Sequence, residues 1–482
     1  MALQLKQTLS WTKSLSAATP DAAAELGMLN DLQGNILKNH GRHHTSNLFI
    51  GFAPGKKAAA RKFVASVGAD VTSALDQLTQ TQVYKASGVG GDTFIAMMIA
   101  AKGYDAMGQQ AAKPGGAAFN AGMKARPLND PAPANWDTHF SKDVHAMILI
   151  GATTPAERDT ERNAMVARIS ATGGAVVLLN TGFGEDGDAL INDDGNGIEH
   201  FGYVDGRSQP LALQEDLDEE DKNNGGISNW NPAIFLSQLL ARCPGGRLSV
   251  SHGSYFVFRK LDQNVKAFKQ REQDLAKALE TRHGLPPNSI DERAGASVVG
   301  RYENGTPIIN FEKEQSPIPK GPIGIPNNFN YVADSAGLKC PFAGHIRKSN
   351  PRSDTSDSKD HLMGRRGIPY GRRSLGEPND GKIANKPTGN VGLLFMAYQS
   401  SLENQFEFTQ NLWVNNPNFR IGGTGIDPLI GQPAGPSGQK WPVVYGKTLS
   451  DGQATDDFSG FVKMRGGEYF FAPSISYLKS LK

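Results

Sequence analysis

Short, nearly continuous apolar runs recur along this chain, and the segments between them decide the fold class. Ser46–Phe52 is apolar on both alternating faces before the turn at Pro54 and Gly55, and DTFIAMMIAA (Asp92–Ala101) is continuous between glycines. Both read as strands buried on two sides. VHAMILIG (Val144–Gly151) and AVVLLN (Ala175–Asn180) read the same way. KKAAARKFVASVG, ending at Gly68, is an Ala-rich helix after the first strand. TTPAERDTERNAMVARIS carries the clearest helix start. Thr154 is the N-cap, Pro155 takes the first helical position and Glu157 completes a capping box. A Gly/Pro-rich loop covers roughly Lys113–Asn135. The order strand, helix, strand, strand, helix, strand is the split βαβ, or ferredoxin-like, arrangement.

The second half shows a similar order. GSYFVFRK (Gly253–Lys260) reads as a strand. The following helix puts Val265, Phe268, Leu275 and Leu279 on one face and stops at Gly284. Val391–Gln399 is a strand, LENQFEFTQNLW is helical and Glu468–Ser474 is a closing strand. Between them, roughly Gly284–Asn390 is irregular, and a loop that long is usually functional. Six carboxylates in Glu215–Asp221, followed by NNGG, read as a solvated linker. The expected fold class is therefore α+β, with two ferredoxin-like domains built on antiparallel sheets, 1–225 and 226–482. A length of 482 residues suits two large domains. The closing SYLKSLK reads as a docking tail or a frayed end.

Composition excludes several classes. Fifty Lys and Arg against 48 Asp and Glu give a net charge of +2, so neither nucleic acid nor a membrane surface is an expected partner. Cys243 and Cys340 cannot build a disulfide framework or a four-thiolate metal site. No apolar run approaches the ~20 residues that span a bilayer. The N-terminal segment has no apolar core of the secretory type, so the expected compartment is the cytoplasm, with a mature secreted form equally compatible. GEPNDGKI (Gly376–Ile383) nearly matches a phosphate-binding loop, but Ile383 stands where Mg²⁺ would need a hydroxyl. The acidic loop Gly184–Glu199 lacks the calcium-loop spacing and reads as solvated. The basic segment Arg347–Arg373 reads as an exposed basic loop or a local site for cofactor carboxylates.

Three stretches carry chemistry-bearing residues. In HFGYVDGRSQP (His200–Pro210), Asp205 sits between a β-like run and a glycine. It is a general acid/base if it lines a cavity, and a turn residue otherwise. CPFAGHIRKSNPR (Cys340–Arg352) holds His345 beside Arg347 and Lys348. In HLMGRRGIPYG (His361–Gly371), Arg365 and Arg366 must point to opposite faces of an extended strand.

Together GYVDG, CPFAGHIRKSNPR and RRGIPYG resemble the dye-decolourising peroxidases, a haem peroxidase family. The resemblance extends to DLQGNILKNHGR (Asp31–Arg42), VGLLFMAYQSSLENQFEFTQNLW (Val391–Trp413), TGIDPLIGQ (Thr424–Gln432) and GGEYFFAPS, nearly the whole chain, and points to the larger fungal-type or related bacterial branch. It implies two ferredoxin-like domains with haem b held mainly by the second. His345 would be the proximal iron ligand and Asp427 the carboxylate that fixes its ring. Asp205 would be the distal acid/base, and Arg365 the guanidinium that stabilises charge on the distal oxygen. Leu393 and Phe395 match apolar distal positions that restrict access. Arg347 is the candidate partner for a haem propionate.

The implied reaction reduces H₂O₂ and oxidises dyes, phenols and other one-electron donors through an oxoferryl porphyrin radical. Bulky donors would be served by surface electron transfer, with Tyr370 and Trp413 as candidates. The alternative is a haem-binding or haem-delivery protein with incidental peroxidase activity. One departure stands out: the family commonly has Ile where this chain has Arg207, which would place a positive charge near Asp205.

Overall fold

The computed structural model describes residues 3–182, 184–223, 225–316, 324–372, 382–433, 435, 438–448 and 453–481. Its centre is an antiparallel sheet. The strands are β1 (His44–Phe52), β2 (Phe94–Ile99), β3 (Ala146–Ala152), β4 (Val176–Leu178), β5 (Glu185–Asp188), β6 (Ala241–Arg242), β7 (His252–Gln263), β8 (Gly364–Arg365), β9 (Ile368–Tyr370), β10 (Gly392–Gln399) and β11 (Val462–Ala472). They run in the order β8-β10-β7-β11-β2-β3-β1-β4, with β9 on β10, β5 on β1 and β6 on β7. Each half therefore repeats the order fourth, first, third, second, which is the ferredoxin-like arrangement of the α+β class. The apolar runs become strands because both faces are covered. All of β2 and β3 is buried, as are Phe256, Val257 and Phe258 of β7.

The halves meet where β11 lies beside β2, and the backbone pairing there is a single residue pair, Phe471 opposite Ile99. A side chain supplements it. Gln33 Nε2 donates to the carbonyls of Met97 and Pro473, both at 2.8 Å, and Gln33 Oε1 accepts from the Met97 amide at 2.8 Å. One buried amide thus hydrogen-bonds both halves. On its other side β11 forms a long ladder with β7, interrupted by a bulge at Gly466. That glycine has φ +148°, and a Cβ there would fall 2.1 Å from the Phe140 ring.

The helices follow the capping signals. Pro155–Ser170 starts with the complete Thr154–Glu157 capping box. Val265–His283 buries Val265, Phe268, Leu275 and Leu279 and ends at Gly284 in the left-handed conformation. Two further helices, Pro20–Asp31 and Ala74–Ser87, carry Thr19 and Ser73 as N-caps. Lys113–Asn135 holds short helical turns, and Asp291–Val299 is a helix inside the stretch read as irregular. LENQFEFTQNLW winds as two π-helical turns, 402–407 and 409–414.

The acidic run is not a solvated linker. It lies on a helix, Gln214–Asn223, that buries Leu217 and Glu220. Three of its carboxylates are paired with cations from other segments: Asp216 with Lys38, Glu219 with Lys85 and Glu220 with Arg207. The C-terminal segment is also docked, as the helix Ile475–Ser480 with Tyr477 and Leu478 buried, close enough that a Cβ on Gly68 would meet Leu478. Residues 376–381 of GEPNDGKI lie outside the described residues. Among the described residues no helix is long and apolar enough to cross a membrane, and no group of His, Cys, Asp or Glu is arranged to hold a metal ion.

Candidate active site

Two adjoining cavities of about 920 and 1110 Å³ open between the second half-sheet and the irregular segments around it. Both are lined by Asp205, His345, Arg365 and Leu393, and the larger one also by Phe395.

His345 opens the short helix His345–Ser349. Its Nδ1 lies 2.8 Å from Asp427 Oδ2. Asp427 Oδ1 accepts from the amides of Leu429 and Ile430 at 2.8 and 2.9 Å, and Asp427 is 0% exposed. An ionised carboxylate only accepts, so in the neutral ring Nδ1 carries the proton and Nε2 keeps the lone pair. Burial pushes the His345 pKa down, but the charge and hydrogen bond of Asp427 outweigh it and hold the pKa above the ordinary histidine value. Lys348, on the same helix, donates to the carbonyls of Asn416 and Gly425 at 2.9 and 2.7 Å and so ties the helix to the loop that carries Asp427.

Asp205 reaches the cavity from the turn that follows Tyr203. Its amide donates to Gly197 O at 3.0 Å, and the Val204 amide to Glu303 O at 3.1 Å. Gly206 has φ +79° with open space around it, so the backbone turn itself requires glycine there. Asp205 Oδ1 accepts from the Gly206 amide at 2.6 Å. Arg365, at the end of β8, donates through Nη2 to Arg207 O at 3.2 Å. Arg366 points the other way and donates to the carbonyls of Asn35 and Ile36 at 2.7 and 2.9 Å. The DLQGNIL segment is thus the socket for the second arginine of the pair. Leu393 and Phe395 alternate along β10 with the buried Leu394 between them.

Several expected residues lie elsewhere. Arg347 is 1% exposed and does not line the cavity. Its guanidinium is consumed by Asp334 at 2.8 Å and Asp354 at 2.7 Å, so it has no charge left for a propionate. The basic segment is accordingly not an exposed loop, since Arg347, Lys348, Arg352 and Arg366 are all buried. Arg207 is paired in a fork with Glu220, at 3.0 and 2.9 Å, which cancels the extra charge expected beside Asp205. Tyr370 and Trp413 are not at the surface, being 7% and 3% exposed. The Tyr370 phenol donates to Asp262 at 2.9 Å. Trp413 packs between His361 and Phe419.

The structure also adds residues. Arg301 lines the smaller cavity, held by the carbonyls of Gly305 and Pro326 at 2.8 Å. Beside it Arg352 and Arg301 converge on Ser208 and Asn327, with Arg207 and Glu220 adjoining. Three arginines around one carboxylate leave this wall cationic. Burial first, then Arg352 and Arg207, push the Arg301 pKa down to about 9. Glu199 and Gln263 line the same cavity. No motif marks Arg301 in VVGRYENGTP, whereas Glu199 stands six residues before Asp205 in the same stretch.

Comparison with known proteins gives the family. Residues 236–419 match the family described as Dyp-type peroxidase, C-terminal. The chain is 42% identical over 494 aligned residues, covering 100% of both chains, to the multifunctional dye peroxidase DyP2 of an Amycolatopsis species. It is 30% identical to the dye-decolorizing peroxidase msp1 of Mycetinis scorodonius, over 96% of this chain and 89% of that one. The solved structure of DyP2 from Amycolatopsis superposes with a TM-score of 0.89 at 41% identity, over 99% and 100% of the two chains. A Dyp-type peroxidase from Anabaena gives 0.88 at 36% identity, over 99% of each. A likeness that runs the length of both chains, with the same fold throughout, has one reading: the chain belongs to the Dyp-type peroxidase family.

Proposed function

We propose that this protein is a haem peroxidase that reduces H₂O₂ and oxidises dyes, phenols and other one-electron donors, with haem b in the cavity described above. The observation that carries the proposal is the convergence of His345, Asp205 and Arg365 on one cavity. The lining fits the group. One imidazole has its second nitrogen fixed by a buried carboxylate, as an axial ligand needs. Leu261, Val299, Leu393, Leu429 and Val462 give apolar walls, and Arg301 gives a cation for a propionate.

Bound haem supplies a redox-active iron that takes two oxidising equivalents from peroxide and returns them to donors one at a time. The protein does the rest. Asp427 orients His345 and makes its free nitrogen more electron-donating. Asp205 as carboxylate takes the proton from one peroxide oxygen and returns it to the other, which lets water leave. Arg365 stabilises the negative charge on the departing oxygen and stays protonated throughout, even though burial lowers its pKa. Leu393 and Phe395 limit water and shape the space above this pair. The division into 1–225 and 226–482 gives Asp205 to the first domain and His345 and Arg365 to the second, so the complete site needs both. A carrier needs only the ligand and the pocket, and Asp205 with Arg365 favours catalysis.

The test is the absorption spectrum of haem-loaded protein before and after stoichiometric H₂O₂, for the wild type and His345→Ala. A ferric Soret band that shifts with peroxide, and is lost or displaced in the variant, supports the proposal. A haem spectrum that ignores peroxide points to a carrier, and absence of haem uptake overturns both.

A further inference from the structure

Glu199 lines the cavity but has no part in the reaction above. Its Oε2 accepts from the Phe201 amide at 2.7 Å and from Gln263 Nε2 at 2.6 Å, and its Oε1 from the Tyr203 amide at 3.2 Å. All three donors are neutral, and among the described residues no cation forms an ion pair with it. Gln263, at the end of β7, lines the cavity as well, and its Oε1 is buried with no hydrogen-bond partner. A carboxylate without a cation thus stands beside an amide oxygen without a donor. Protonation removes this uncompensated buried charge and gives up only hydrogen bonds from neutral donors.

The charged groups around this pair are otherwise committed. Tyr203 donates to Glu272, which is paired with Lys269. Arg207 is paired with Glu220, and Arg301 is held by carbonyls. His345 is bonded to Asp427, and Arg365 to Arg207 O. Asp205 is the like charge that faces Glu199. Burial, opposed by the three hydrogen bonds and reinforced by Asp205, pushes the Glu199 carboxyl up to about 7.

The chemistry has a use for such a group. Reduction of one peroxide follows H₂O₂ + 2e⁻ + 2H⁺ → 2H₂O, with both electrons taken from donor molecules. Asp205, by moving a proton from one peroxide oxygen to the other, supplies neither of the two protons consumed. We propose that Glu199, backed by Gln263, is a second proton carrier of the cavity, delivering one of these two protons and refilling from solvent. The O–H bond of Glu199 breaks, a new O–H bond of water forms, and the carboxylate is left to be reprotonated. This inference rests on the peroxidase reading.

The test uses haem-loaded wild type, Glu199→Gln and Gln263→Met with ferrocyanide as donor, which gives an electron and no proton. Turnover is followed from about pH 5 to about pH 9. In the wild type the rate is expected to fall above about pH 7. Glu199→Gln loses that limb and runs about tenfold slower on its acid side. Gln263→Met moves the limb to higher pH, because the carboxylate loses a donor. The infrared difference between wild type and Glu199→Gln should show a protonated carboxyl band that titrates over the same range, and the same difference should persist in an Asp205→Asn background. An unchanged pH limb in both variants, or a band that vanishes with Asp205 instead, overturns the inference. Should Glu199→Gln fail to bind haem, the Gln263→Met profile and the wild-type infrared titration decide. Failure of the wild type to turn over peroxide at all is a different result, and removes the peroxidase reading itself.

Discussion

Asp427 lies wholly out of solvent, with one carboxylate oxygen 2.8 Å from His345 Nδ1 and the other held by two backbone amides. The amides position the carboxylate, and the carboxylate positions the ring. A rigid negative partner of this kind makes the free imidazole nitrogen a stronger electron donor.

The Asp427→Asn variant should keep the fold, since an amide oxygen still accepts from Leu429 and Ile430. It should raise the reduction potential of the bound iron and slow the reaction with peroxide by roughly 10–100-fold. Potentiometric titration with stopped-flow absorption measures both. An unchanged potential would mean that Asp427 only positions the ring.

Asp205 and Arg365 act at different moments and should fail differently. Asp205→Asn removes the proton carrier and is expected to slow the peroxide step about 10²–10⁴-fold. Arg365→Leu removes charge stabilisation and is expected to cost about 10²–10³-fold. Haem uptake should survive in both, because neither holds the iron. Rates of spectral change against peroxide concentration test this.

The cationic wall gives a binding prediction. Arg301→Met takes away one of three arginines gathered near a single carboxylate. Haem affinity should drop tenfold or more, about 1.4 kcal/mol, measured by transfer of haem to an acceptor protein. Arg347→Met, which removes the partner of Asp334 and Asp354, should instead lower thermal stability, by an amount typical of breaking a buried pair, about 3–5 kcal/mol.

Glu199 also predicts a pH dependence of stability. Its folded pKa of about 7 lies above the ordinary glutamate value of 4.5. Between these values the folded chain binds more protons than the unfolded chain, so stability falls as pH rises through that window. Glu199→Gln should match the wild type below the window and become relatively more stable above it. Glu292, also raised to about 7, adds a slope of the same sign to both proteins, so their difference is the informative quantity. Thermal unfolding at several pH values provides it.

Gln33→Leu should leave the haem spectrum intact and destabilise the chain. It abandons the buried Met97 amide and the carbonyls of Met97 and Pro473, each worth about 1–3 kcal/mol when left unpaired. Denaturant unfolding followed by both fluorescence and Soret absorption should show a lower midpoint.

Much of this architecture was legible from local pattern. DTFIAMMIAA reads as a strand covered on both faces, and the Thr154–Glu157 capping box marks its helix without tertiary help. The adjacent arginines declared opposite directions because a strand alternates, and Arg366 does turn into the Asn35–Ile36 carbonyls. What misled was charge judged without its partners. Glu215–Asp221 reads as solvated because Lys38 and Lys85, which neutralise it, lie far away in sequence. Arg347 reads as free because Asp334 and Asp354 meet it only after folding. Arg301 stands alone in an unremarked stretch, and its place in the cavity depends on Ser208 and Asn327 arriving from other segments. Tyr370 and Trp413 read as surface aromatics for want of any local sign of burial.

The position of β11 has a consequence for synthesis. Residues 462–472 fill the middle of the sheet, between β7 and β2, yet they leave the ribosome after every other strand of that sheet. Until then β7 presents a row of unpaired backbone groups, β2 lacks its pair at Ile99, and Gln33 waits for a partner 440 residues downstream. Nascent chains are therefore open to edge-to-edge association for nearly the whole of translation. The last strand does not extend a finished sheet; it closes the gap between two unfinished ones.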